Sequence, residues 1–273
     1  MHDTLLQALR PYFPLHRTRL HLMVQLLCAM LTLGTVRLPR LAGYLESSGH
    51  TEAHRYRRLQ RFFAVLDLDL KWLVTFVMAT LPEGKHWLIL DRTNWKWGKT
   101  DLNILMVAVL VGPLAIPLLW EVLPHGGSSS QKDRQTLLER LFDIVPFQRF
   151  VGVIADREFI GQCWFGWLRK QGLKVCIRLK KDTLVDGLGK FKGFQAGSLF
   201  ATVSSGEYRV WYRKIRMYGV LLRLIATRTA KGDLKLLEFC RRSVQSRPAR
   251  RPRWPQVQRP TAQSSSKKPS ASS

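Results

Sequence analysis

Acidic residues are scarce: 19 Asp and Glu stand against 44 Lys and Arg in 273 residues, a formal charge of +25. That shortage excludes a charge-balanced surface and leaves one that attracts polyanions, with counterion release driving association with nucleic acid. Cysteine is sparse too. Cys28, Cys163, Cys176 and Cys240 lie far apart, with no CxxC pair and no metal-ligand spacing among the seven histidines, which excludes a zinc module. The four read as reduced core thiols. The first residues, MHDTLLQALRPYF, lack the charged-then-apolar run of a secretory signal, since Pro11, Pro14, His16, Arg17 and Arg19 break it. The expected location is cytoplasmic and nucleoid-associated.

Long uninterrupted apolar runs are missing as well. The stretch 20–34 contains His21, Gln25 and Thr32 and falls short of the roughly 18 residues a span needs, so it reads as a core helix. The stretch 104–120 is broken by Gly112, Pro113 and Pro117 and is rich in Val and Ile, which suits two strands and a turn. No membrane partner is expected. Acidic residues vanish past position 240, where nine basic residues sit among Ser, Pro and Gln. Such a tail buries too little apolar surface to offset its ordering entropy. The preceding 240 residues still carry +16.

What is present is ample core material, 46% hydrophobic residues, over a length that suits one or two domains. Residues 1–82 read as a helical N-terminal DNA-binding region, with a helix near 20–34, a turn at RLPRLAGYLESSGH and a helix capped by Thr51. In that last helix His54, Arg57, Arg58 and Arg61 share a face, while Leu59, Phe62 and Phe63 turn toward a core. The face suits a phosphate backbone or is simply a solvated basic surface. Residues 83–181 read as an α/β core. Strand 87–91, two strands within 102–122, a helix at 130–144 capped near Ser130, strand 150–155, helix 159–171 ending at Gly172 and strand 173–179 give the order β-β-β-α-β-α-β. The first and fourth strands are expected side by side. Residues 182–229 read as a β-rich insertion with glycine turns, 230–240 as a remnant of the core and 241–273 as a disordered basic tail.

Two apolar strands each deliver a carboxylate: HWLILDRTNWKWGK at Asp91 and FVGVIADREFIG at Asp156. An ionised carboxylate at the end of a buried strand is costly to desolvate unless a cation or hydrogen bonds compensate it. Either each Asp caps a turn or pairs with the next arginine (Arg92, Arg157), or the two share Mg²⁺ or Mn²⁺ for in-line phosphoryl displacement. Strand order and positive charge favour the metal.

The segment LDRTNWKWGKTDLNILMVAVLVGPLAIPLLWEVLPHGGSSSQKDR, with IADREFIG and WLRKQGLKVCIRLKKD, resembles the DDE transposases of the insertion sequence four family over about residues 50 to 230. The resemblance implies an RNase H-like core, Asp91 as first and Asp156 as second catalytic carboxylate and metal ligand, and a Glu on a later helix beyond a β-rich insertion. It also implies double-stranded DNA and transposon ends as partners, with a possible homo-oligomer. The family's third carboxylate lies in a Tyr-x2-Arg-x3-Glu-x6-Lys signature, and none of the six tyrosines here has Arg three residues on. Glu238 is a weak third-ligand candidate, with neither Arg four before nor Lys seven after. The change to an Arg/Pro/Ser tail where the signature should stand resembles translation in a shifted frame. The expected function is therefore a transposase impaired in cleavage and transfer. A non-catalytic DNA-binding competitor and a metal-dependent nuclease on the same fold are the rivals. Further DNA contacts are expected at Arg209, Arg213, Lys214 and Arg216, and Trp211 either stacks on an unpaired base or packs in the protein.

Overall fold

The computed structural model describes residues 2–45, 51–185, 193–211, 214–218 and 220–239. Five helices come first: α1 (His2–Leu9), α2 (Arg17–Leu33), α3 (Leu38–Tyr44), α4 (Glu52–Val65) and α5 (Leu70–Thr80). The apolar stripe of α2 is buried on two sides. Leu20, Val24 and Cys28 pack with Leu9 and Phe13, while Leu22, Leu26 and Ala29 pack with Leu41, Ala42, Leu59 and Phe62 from α3 and α4. Helix α2 stops at Gly34, whose φ of 58° is open to glycine without strain. Within the stretch expected as a turn, Leu38–Tyr44 fold instead into α3, because Pro39 suits a first helical turn and Leu41 and Ala42 find apolar partners, while 46–50 lie outside the described residues. Thr51 caps α4 through its hydroxyl, which accepts from the His54 N–H at 3.4 Å. Phe63, expected in the core, is 44% exposed and touches Phe62 edge-on. Among the described residues no single helix is long and apolar enough to cross a membrane.

From residue 86 the order is β1 (His86–Trp97), β2 (Thr100–Val111), β3 (Leu114–Leu123), α6 (Gln131–Phe142), β4 (Phe150–Ala155), α7 (Gln162–Lys170) and β5 (Lys174–Leu179). It is the β-β-β-α-β-α-β pattern read from hydrophobic periodicity. Strands β6 (Tyr208–Val210), β7 (Ile215–Met217), β8 (Val220–Arg228) and β9 (Leu234–Phe239) follow. The mixed sheet runs β3-β2-β1-β4-β5-β9-β8-β6, with β7 on β8. Among the described strands only β1–β4 and β4–β5 pair in parallel. The expected insertion thus joins the central sheet, through β9.

Alternation puts Leu88 and Leu90 of β1 and Leu105, Val107 and Val109 of β2 on one face, all fully buried. Helices α5, α6 and α7 cover it: Val74, Leu137, Leu138, Leu141, Trp164, Phe165 and Leu168 belong to the same core cluster. Phe142 of α6 stacks on Trp167 of α7 at 6.4 Å. Ser130 and Asp133 form a reciprocal capping box at the start of α6. Helix α7 starts at Gln162, three residues later than expected, because 156–160 form a turn in which the Phe159 N–H donates to the Asp156 carbonyl at 3.0 Å. Cys28 is buried and Cys176 half-buried, but Cys163 on α7 is exposed and so is not a core thiol.

Candidate functional site

Strand β1 does not end at Asp91. It runs six residues further, to Trp97, held there by β2 alone, because β4 stops at Ala155. The last rung of the parallel ladder is Leu90 against Ala155. The next residue in each segment is an aspartate, Asp91 still within β1 and Asp156 just past β4, and neighbouring strands lie about 4.8 Å apart. Both aspartates are exposed. Asp91 falls in phase with Trp87 and Ile89, on the face opposite Leu88 and Leu90.

Neither carboxylate has a cation of its own among the described residues. The Arg92 backbone N–H donates to Asp91 Oδ1 at 2.8 Å, but the Arg92 guanidinium turns to Glu158. Arg92 Nε and Nη2 donate to the two Glu158 oxygens at 2.9 and 3.0 Å, a bidentate pair with side-chain exposures of 14% and 27%. The hydrogen bonds of Arg92 to the Glu158 carboxylate, with the charges of Glu158 and Asp91, hold the guanidinium above its ordinary pKa against the pull of burial. Arg92 Nη1 reaches Asn103 Oδ1 at 3.0 Å, and Asn103, 1% exposed, gives its amide hydrogens to the carbonyls of His125 and Gly127 at 2.8 and 3.0 Å. Buried Arg134 adds a second tie. It donates to Ser129 Oγ at 3.0 Å, to the Ser129 carbonyl at 2.6 Å and to the Glu158 carbonyl at 3.2 Å, with its guanidinium 4.9 Å from the Phe159 ring centre. Burial pulls its pKa down despite the nearby carboxylates. Glu158, Asn103 and Arg134 are thus site neighbours that the sequence reading missed. A buried Asn inside the apolar run of β2 was the available signal.

The other candidates lie elsewhere. The backbone of Glu238 stands on β9, a strand rather than a helix, opposite Ile177 of β5 and Leu224 of β8, with β5 between it and β4. Its side chain lies outside the described residues, as do Arg213 and the tail from 241 on. Arg57, Arg58 and Arg61 are exposed on α4, and Lys214 and Arg216 are exposed near β7. Arg209 is exposed but engaged, donating to Thr202 Oγ1 at 2.7 Å. Trp211 packs edge-on against Phe200 at 5.7 Å and is half-buried against the main core.

As ligands the two aspartates offer hard oxygen donors, the type that Mg²⁺ and Mn²⁺ take. Two exposed carboxylates directly after the last parallel rung, neither in an ion pair, fit one such ion, although no group of three or more His, Cys, Asp and Glu is assembled among the described residues.

The arrangement is that of an α/β protein with a pair of solvent-facing carboxylates at the carboxyl end of its parallel strands. No family model matches the chain, and no curated protein matches it. Among solved structures it is similar to a piggyBac transposase synaptic complex with hairpin DNA, at 9% identity and a TM-score of 0.36. The match covers 80% of this chain and 48% of that one, so the chain spans about half the length of this relative. A likeness that loose leaves the chemistry to be read from the chain's own residues.

Proposed function

We propose that this chain carries the RNase H-like catalytic core of a DNA transposase resembling the insertion sequence four family, with Asp91 and Asp156 as its metal-holding carboxylates. The observation that carries the reading is the Leu90–Ala155 rung, the last of the parallel ladder, directly after which stand two exposed aspartates that form no ion pair among the described residues. The order β-β-β-α-β-α-β with β1 beside β4 and the charge of +25 support it. Asp91 and Asp156 would hold Mg²⁺ or Mn²⁺, with the Arg92 N–H fixing one oxygen of Asp91. A bound ion supplies Lewis acidity to the attacking and leaving oxygens of an in-line phosphoryl displacement. The partner is double-stranded DNA, transposon ends included, engaged by exposed basic residues such as Arg57, Arg58 and Arg61.

A second reading is favoured by one observation, the strand at Glu238. The sequence holds no Tyr-Arg-Glu-Lys signature, and β9 stands where the resemblance sets a helix bearing the third carboxylate. On this reading the chain binds DNA and metal but cleaves and transfers strands poorly.

Two measurements test these readings. At ten times its dissociation constant Mn²⁺ should stabilise the wild type by about 1.4 kcal/mol, or roughly 3 to 6 °C in melting temperature, and Asp91→Asn should abolish the rise. A metal shift that survives in Asp91→Asn removes the site. Incubation of labelled duplex with Mn²⁺ separates the two readings: robust cleavage supports a working transposase or nuclease, whereas binding without cleavage supports the impaired form.

A further inference from the structure

We infer that Arg92 and Glu158 are a positioning pair that sets the separation of the two metal-holding aspartates. The inference rests on the metal reading above and assigns it residues that touch neither metal nor substrate. Arg92 directly follows Asp91, and Glu158 lies two residues after Asp156, so their bidentate bond links β1 to the turn that follows β4. No β-ladder hydrogen bond does this, because β4 ends at Ala155 while β1 continues. Alternation sets Arg92 on the face of β1 that carries Leu90, and its strand partner Leu105 is buried there, whereas Asp91 belongs to the other face. The pair therefore braces the site from the helix-covered side. Asn103 fixes the far end of the guanidinium, and Arg134 fixes the backbone of Glu158 through its carbonyl. With both partners anchored twice, the fork cannot swing with either strand end. Groups that hold metal ligands in place in this way typically account for 10- to 100-fold in metal affinity.

The sign of the effect separates positioning from simple electrostatics. Arg92 is a cation close to a cation site, so removing its charge should tighten metal binding if it acted through space. If it acts by holding Asp91 against Asp156, its removal should weaken binding. The test titrates Mn²⁺ into the full chain and follows the loss of the free-ion electron paramagnetic resonance signal, in wild type, Arg92→Ala, Arg92→Lys and Glu158→Gln. Metal-free melting is recorded alongside. The expected result is about 10-fold or greater weakening for Arg92→Ala and Glu158→Gln, with a smaller loss in Arg92→Lys, which keeps the charge but not the fork. Should Arg92→Ala fail to fold, Arg92→Lys carries the comparison, because it keeps the charge and loses the fork, whereas Glu158→Gln also removes a negative charge and weakens binding through space. Affinity unchanged or tighter in the folded Arg92 variants overturns the positioning role while leaving the metal site standing. A wild type that binds no Mn²⁺ overturns both.

Discussion

Gly152 is the position where a single methyl should do the most damage. It sits in β4, paired with Lys174 of β5, and a Cβ built on it falls 2.2 Å from the Lys174 carbonyl oxygen, 2.7 Å from its carbon and 2.8 Å from its Cα. All three are backbone atoms, so no side chain can swing away. Relief requires β4 and β5 to part locally by roughly 1 Å, which takes neighbouring ladder hydrogen bonds outside their 2.7–3.2 Å range. Overpacking of this kind costs about 1 to 3 kcal/mol and each weakened ladder bond about 1 more, so Gly152→Ala should destabilise by roughly 2 to 4 kcal/mol. In a chain of this size that is on the order of 10 °C in melting temperature. The matched control is Gly166, within α7, where an added Cβ meets nothing within 4 Å and the helix gains from alanine. Gly166→Ala should melt at or slightly above wild type, since glycine inside a helix costs about 0.5 to 1 kcal/mol relative to alanine. Thermal unfolding followed by circular dichroism, without metal, gives both numbers. Gly152→Ala melting within 2 °C of wild type would refute the close approach of the two strands. Because Gly152 lies in β4, the strand that leads into Asp156 four residues later, the Mn²⁺ response should fall as well.

The remaining expectations are quicker to state. His125 Nδ1 lies 3.1 Å from the Gly126 carbonyl and Nε2 lies 3.2 Å from Asp133 Oδ2, and these two acceptors, the carbonyl first, raise its pKa above 6.5. A raised histidine stabilises the fold below its ordinary value and loses that contribution as pH climbs through the raised one, so melting temperature should fall with pH above about 6.5. His125→Gln should flatten this fall, and a variant that keeps the wild-type slope would show that the capping loop does not sense it. Burial pulls the Asp133 carboxyl up, but the Ser130 N–H, the Ser130 hydroxyl and His125 together hold it below 3.8, so its contribution is lost only in stronger acid. Replacing Arg57, Arg58 and Arg61 with alanine should weaken duplex binding and flatten the slope of log K against log salt by about 2 to 3. An unchanged slope assigns the DNA face elsewhere. Glu238→Gln should leave the Mn²⁺ midpoint where it is, because β5 separates its strand from β4, and a lost response would make Glu238 a ligand after all.

Hydrophobic periodicity carried most of the core, because strands β2 to β5 are largely apolar and helix α6, capped by Ser130, shows an apolar stripe of Leu137, Leu138 and Leu141. It failed where the physics is not periodic. Helix α3 is only seven residues long and depends on partners in α2 and α4, so its sequence alone reads as a turn. The end of β1 was misplaced at Asp91 because TNWKW looks polar, and the strand persists there on pairing with β2 rather than on burial. Asp91 and Asp156 were legible as a pair from the two strand-then-carboxylate motifs. Their bracing was not, since Arg92, Asn103, Arg134 and Glu158 come from four different elements and meet only in three dimensions.

The persistence of β1 also explains why a carboxylate can stand in the middle of a strand. Up to Leu90 the strand has a neighbour on each side, β2 and β4, and its alternate residues are fully buried. One residue later the parallel neighbour is gone, while the antiparallel one continues to Thr100. Asp91 therefore occupies the first position where one flank of the strand opens, so its charge is hydrated at little desolvation cost while its backbone stays locked to Met106 of β2. Asp156 meets the same opening from the other side, as the first residue of a turn that immediately re-enters the protein through buried Phe159. In open α/β sheets ligands bind in crevices beyond the carboxyl ends of the strands. Here β1 outlasts β4 at that edge, and Arg92, next to Asp91, grips Glu158, two residues after Asp156.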